Sequence, residues 1–73
     1  MRLNYNIVWF ANTCREARKR KRLTQTDVAR RVRVSAPYIS MIECGYNRVT
    51  FPVARRLARV LGREVLDAAL SEC

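Results

Sequence analysis

Apolar residues recur along the first part of the chain with helical spacing. Phe10, Ala11, Cys14 and Ala17 stand at offsets of 3, 4, 7 and 10 from Ile7, which puts all five on one face of a helix beginning near Asn6. The opposite face is polar and ends in Arg18-Lys19-Arg20-Lys21-Arg22. Cations at that end complement the helix dipole, and one or two of them are placed to meet phosphate. Val8 and Trp9 lie off the apolar face, available to cover the last helix or a partner subunit. A second, short helix starts at Thr24, whose hydroxyl caps it, with Asp27 three residues on in a variant of the capping box. Its inward residues are Val28, Ala29 and Val32. Ser35 caps a third helix with Pro37 in its first turn, Ile39 and Ile42 facing inward, and Gly45 as a left-handed stop. After the loop Tyr46-Asn47-Arg48-Val49, Thr50 caps a fourth helix with Pro52 in its first turn. Val53, Leu57, Ala58 and Leu61 face inward, and Gly62 ends it. A fifth helix, from Val65 to about Ser71, carries Val65, Leu66, Ala69 and Leu70. No stretch alternates for long as a strand would, and the gaps are short. The pattern predicts an all-α, compact five-helix domain over residues 1–73.

Composition sets limits on what such a domain does. At 73 residues and 49% hydrophobic, the chain sits near the size where one core is just sufficient. No run approaches the roughly 18 apolar residues of a membrane span, and Ile7 to Ala11 is too short for a secretory signal; a soluble, cytoplasmic protein with no membrane partner is expected. The basic, amphipathic first helix does not change this, because its apolar face is needed for the core. Fifteen Lys and Arg against six Asp and Glu give a net charge of +9. Self-repulsion of that size suggests a polyanionic partner. Nine of the bases fall between Arg15 and Arg33, whereas residues 64–73 hold three acids and no base, so one region suits phosphate and the other something else. Cys14, Cys44 and Cys73 form no close pair and there is no histidine. Metal spacing, a thiol–imidazole pair and a phosphate-binding glycine loop are all missing from the sequence, and the expectation is a non-enzyme with no metal and no cofactor, its thiols reduced.

The informative stretch runs from Thr24 to Gly45, residues 24–45. Its two helices are separated only by Arg33-Val34-Ser35, a connection so tight that they must diverge at a large angle, as in a helix-turn-helix unit. Leu23-Thr24-Gln25, Val28-Ala29, Val34-Ser35, Tyr38-Ile39-Ser40, Ile42-Glu43, Gly45 and Leu57-Ala58 with Leu61-Gly62 resemble the lambda-repressor-like, Cro and cI type, helix-turn-helix family. The resemblance runs without gaps from about Phe10 to Leu70. It implies a second helix that crosses the DNA backbone and a third that enters the major groove.

What the resemblance implies for single residues follows from their positions. Thr24 and Gln25 open the second helix, where a side-chain amide and a helix N-terminus meet one phosphate. Ala36, Pro37, Ser40 and Met41 fall on base-facing positions, with Ser35 and Tyr38 nearer the sugar-phosphate backbone. Asn47 and Arg48 match a second phosphate-contacting position, and Arg18 and Glu43 match a partly buried salt bridge of architectural role. Two departures stand out. Arg33 replaces the usual turn glycine at a cost of about 1 kcal/mol, while placing a charge close to DNA. Ala36, Pro37 and Met41 cannot make the bidentate bonds that separate bases, so readout leans on thymine methyls and DNA shape.

One recognition helix reads too few base pairs for a genome. A homodimer on a palindromic operator is therefore expected, with Val65, Leu66, Ala69 and Leu70 as its interface. The implied function is a bacterial or phage transcriptional regulator, nucleoid-associated, acting as a repressor or as a restriction–modification controller on double-stranded DNA. The competing readings are a basic protein that binds nucleic acid without sequence preference, and an antitoxin-like adaptor gripping a protein partner such as a toxin.

Overall fold

A computed structural model describes residues 7–46 and 49–70, with nothing to say of the side chains of Ile7 and Leu70. Five α-helices follow in order: α1 (Ile7–Arg20), α2 (Gln25–Val32), α3 (Ala36–Glu43), α4 (Phe51–Leu61) and α5 (Arg63–Leu70). There is no strand among the described residues.

Local chemistry sets most boundaries. At the start of α2, the Thr24 hydroxyl accepts from the Asp27 N–H at 3.0 Å while the Asp27 carboxylate accepts from the Thr24 N–H at 2.9 Å. Two helix-end groups are thus satisfied reciprocally. The Asp27 carboxyl is held below its ordinary range first by that backbone bond, then by the Thr24 hydroxyl, with Arg30 and Arg31 adding to it. Ser35 caps α3 by accepting from the Tyr38 N–H at 3.2 Å. Gly45 (φ +77°) closes α3, its N–H bonding Ile42 O and the next N–H, of Tyr46, bonding Met41 O. Those two bonds form a Schellman stop.

Other boundaries depart from the sequence pattern. Thr50 stands at the N-cap of α4 with extended backbone, but its side chain makes no capping bond; Pro52, in the first turn, removes one of the N–H groups such a cap could use. α5 begins at Arg63 rather than Val65, because Gly62 at φ +121°, a backbone open only to glycine, redirects the chain within one residue.

The core is assembled from all five helices. Phe10, Cys14 and Ala17 of α1, Val28, Ala29 and Val32 of α2, and Ile39 and Ile42 of α3 meet Ala54, Leu57 and Leu61 of α4 and Val65, Ala68 and Ala69 of α5. Each fully buried large side chain, such as Phe10 or Leu57, contributes about 1.5–3 kcal/mol. Val49, from the loop before α4, is also buried. Two expectations about the inward faces need correcting. In α4 it is Ala54 that is buried, with Val53 and Ala58 half-buried, and in α5 Ala68 joins Val65 and Ala69 while Leu66 is half-buried. Alanines here let α5 lie close against α1 and α4, its two principal neighbours. Cys14 is packed in this core, and burial, helped by the Glu43 charge, pushes its thiol up to about 12, so it stays protonated and inert.

Candidate nucleic-acid interface

The connection between α2 and α3 is three residues long and its geometry rests on Arg33. That residue adopts φ 67°, ψ 46° and its N–H bonds Ala29 O, with the Val34 N–H reaching the same carbonyl at 3.0 Å. The left-handed step ends α2 and directs the chain into the Ser35 cap of α3.

A polar cluster holds the angle between the two helices. Arg18 of α1 grips Glu43 at the end of α3 through two bonds, Nε to Oε2 at 2.7 Å and Nη2 to Oε1 at 3.1 Å, and donates a third to Leu23 O at 3.0 Å. Gln25 donates from Nε2 to Glu43 Oε1 at 3.1 Å. Glu43 is only 5% exposed and the Arg18 side chain 15%, so this is a largely desolvated junction of α1, α2 and α3. The Arg18–Glu43 pair is the one the resemblance implied. The Gln25 bond was not anticipated, and it fixes the amide so that the start of α2 sits beside the end of α3.

The remaining residues expected on this surface fall as follows. On α3, Ile39 and Ile42 point into the core while Pro37 and Met41 are exposed and Ala36, Tyr38 and Ser40 are half-buried. Thr24 and Ser35, the two caps, are exposed, and Gln25 is half-buried. Asn47 and Arg48 lie outside the described residues. Tyr46 received no role from the sequence, yet it is 78% exposed, just past the turn that Gly45 makes. Its position after a left-handed glycine was the available signal. The α3 segment carries no Lys or Arg and its one acid, Glu43, is buried, so the exposed side of the helix is uncharged.

A family model described as helix-turn-helix matches residues 15–67. The chain belongs to the helix-turn-helix family of Cro and cI type. Among solved structures, it is similar to the clp gene regulator ClgR from Corynebacterium glutamicum, with a TM-score of 0.77 and 28% identity over 85% of this chain and 69% of that one. It is also similar to the restriction-modification controller protein C.AhdI from Aeromonas hydrophila, with a TM-score of 0.73 and 29% identity over 75% of this chain and 83% of that one. No curated protein sequence matches it. As a member of this family the chain is a DNA-binding domain of the transcription-regulator type, and no helix among the described residues is long and apolar enough to cross a membrane.

The expected dimer interface meets the core. Val65 and Ala69 are fully buried within their own chain, so their side chains have no surface to give a partner. Leu66 is half-buried and lines a shallow hollow with Arg55, Ala58, Arg59 and Arg63, and the Leu70 side chain lies outside the described residues. Trp9 and Val8 are 53% and 64% exposed, so α5 leaves much of both uncovered.

Proposed function

We propose that this helix-turn-helix domain is a sequence-specific transcriptional regulator that binds a palindromic operator as a homodimer, α3 lying in the major groove. The observation that carries this reading is the Arg18–Glu43–Gln25 junction. It holds α2 and α3 rigidly together and leaves the Pro37–Met41 side of α3 exposed. In this reading Thr24 and Gln25 present the start of α2 to a phosphate. Ala36, Pro37, Ser40 and Met41 face base edges, Ser35 and Tyr38 lie toward the sugar-phosphate backbone, and Asn47 and Arg48 serve a second phosphate. With Ser40 the one polar side chain among the four base-facing residues, discrimination comes from thymine methyl contacts and from DNA shape. In the proposed dimer, Leu66 and Leu70 of α5 make the contact with the partner. The protein acts by occluding or recruiting polymerase at a promoter, as a repressor or controller.

The roles separate in binding titrations. Arg48→Ala weakens binding to every duplex alike and leaves the order of preference unchanged, because a phosphate contact positions without specifying. Ser40→Ala and Met41→Ala change the order of preference between sites differing at one base pair by about 1–3 kcal/mol. If the α3 variants left preference intact, α3 would not be the reading helix. A second reading, binding without sequence preference, draws on the same neutral α3 surface, and its mark would be equal affinity for all duplexes.

A further inference from the structure

The positive charge of the folded chain is concentrated away from α3. Arg31 near the end of α2, Arg33 in the turn, and Arg56 and Arg59 of α4 line one open hollow of about 480 Å³, with Val60 completing the lining. No carboxylate lines it. The three salt bridges among the described residues join Arg18 to Glu43, Arg20 to Glu64 and Arg63 to Asp67, and none reaches these four arginines. Asp27, one turn before Arg31, exerts some charge on it but is tied to the Thr24 cap. Arg56 is oriented in advance: its Nη1 donates to Val32 O at 3.2 Å, across the gap between α4 and α2, which fixes the fork beside its neighbours.

Four guanidinium groups around one hollow repel one another, and an anion placed among them relieves that repulsion. Arginine's planar fork matches carboxylate and phosphate alike. Position decides between them. The α2 helix is eight residues long, about 12 Å at 1.5 Å per residue, and its start is the end that Gln25 and Thr24 bring to the reading surface. The hollow is at the other end, and three of its four arginines, Arg31, Arg56 and Arg59, belong to the last turn of α2 and to α4 rather than to the turn that leads into α3. A duplex docked along α3 is near Arg33 alone among the four, which leaves Arg31, Arg56 and Arg59 to a different partner. Val60 and the aliphatic stems of the arginines add apolar lining for the methylene groups of Asp and Glu side chains.

We infer that the hollow between the end of α2 and α4 is a docking site for an acidic segment of another protein, one presenting two or more Asp or Glu side chains together. The site is independent of the DNA-reading role and can be occupied while DNA is bound.

The test uses the full chain and a fluorescein-labelled hexaglutamate peptide, with binding followed by fluorescence anisotropy at low salt. Arg31→Ala with Arg59→Ala removes two of the four charges. Both positions are exposed and helical, neither side chain bonds a described residue, and alanine favours helix, so the fold is retained. This double variant should bind the peptide at least tenfold more weakly than the parent chain. Lys19→Ala with Lys21→Ala, which removes two charges from the end of α1, should change binding less than twofold. Equal losses in the two variants would reduce the effect to net charge, and no loss in the first would empty the hollow of its role; either overturns the proposal. In a parallel DNA titration, the Arg31→Ala/Arg59→Ala chain should keep the parent's salt dependence. A slope reduced by about two would instead mean that these arginines contact phosphate, and would overturn it as well.

Discussion

Two arginines occupy backbone that L-amino acids avoid. Arg22 (φ 57°) ends α1 and Arg33 (φ 67°) ends α2, each closing a helix where glycine would do so without steric cost. Arg33→Gly is expected to raise stability by about 0.5–1 kcal/mol, the relief of strain being partly offset by the greater freedom of glycine in the unfolded chain. Urea unfolding of the two proteins measures it, and a destabilised variant would show that the Arg33 side chain contributes more than its backbone costs. The two positions were unequally legible. The resemblance to the Cro and cI type implied a glycine at the position of Arg33, so its strain could be foreseen. Arg22 closes a run of five bases, and a charge run says nothing about which of its members turns left-handed.

Glu43 is the point at which three helices are joined, through Arg18 of α1 and Gln25 of α2. Glu43→Ala leaves the Arg18 guanidinium without its partner in a site that is 15% exposed. The expected loss is about 3 kcal/mol, a large share of the stability of so small a domain. Thermal or denaturant unfolding reads the loss directly, and the double change Arg18→Met with Glu43→Leu should recover most of it. A single variant as stable as the parent would remove the junction from the account. The caps of α2 and α3 were legible because they act within four residues: Thr24 with Asp27, and Ser35 with the Tyr38 N–H, depend on nothing distant. The inward faces of α4 and α5 were less so. Apolar residues occupy 51, 53, 54, 57, 58, 60 and 61 in one and 65, 66, 68, 69 and 70 in the other, so two overlapping stripes fit helical periodicity. Packing of α4 against α5 and α2, and of α5 against α4 and α1, rather than spacing, selects Ala54 and Ala68.

Charge divides the whole molecule into a neutral reading helix and basic flanks. The α3 segment has no base, while five successive cations, Arg18 to Arg22, span the end of α1 and the turn after it. In the proposed reading, attraction to DNA originates beside α3, and discrimination on it. The arginine-lined hollow could not be read in advance, since its members are brought together from segments more than twenty residues apart. The measurement that bears most directly on this account is selection of bound sites from random duplex DNA by the purified chain, followed by titration of the enriched site at two salt concentrations. The account predicts one palindromic consensus with half-sites about one helical turn apart, bound far above background and with steep salt dependence. Salt-sensitive binding with no enriched sequence would contradict it, and would leave the chain a DNA-binding domain that does not read sequence through α3.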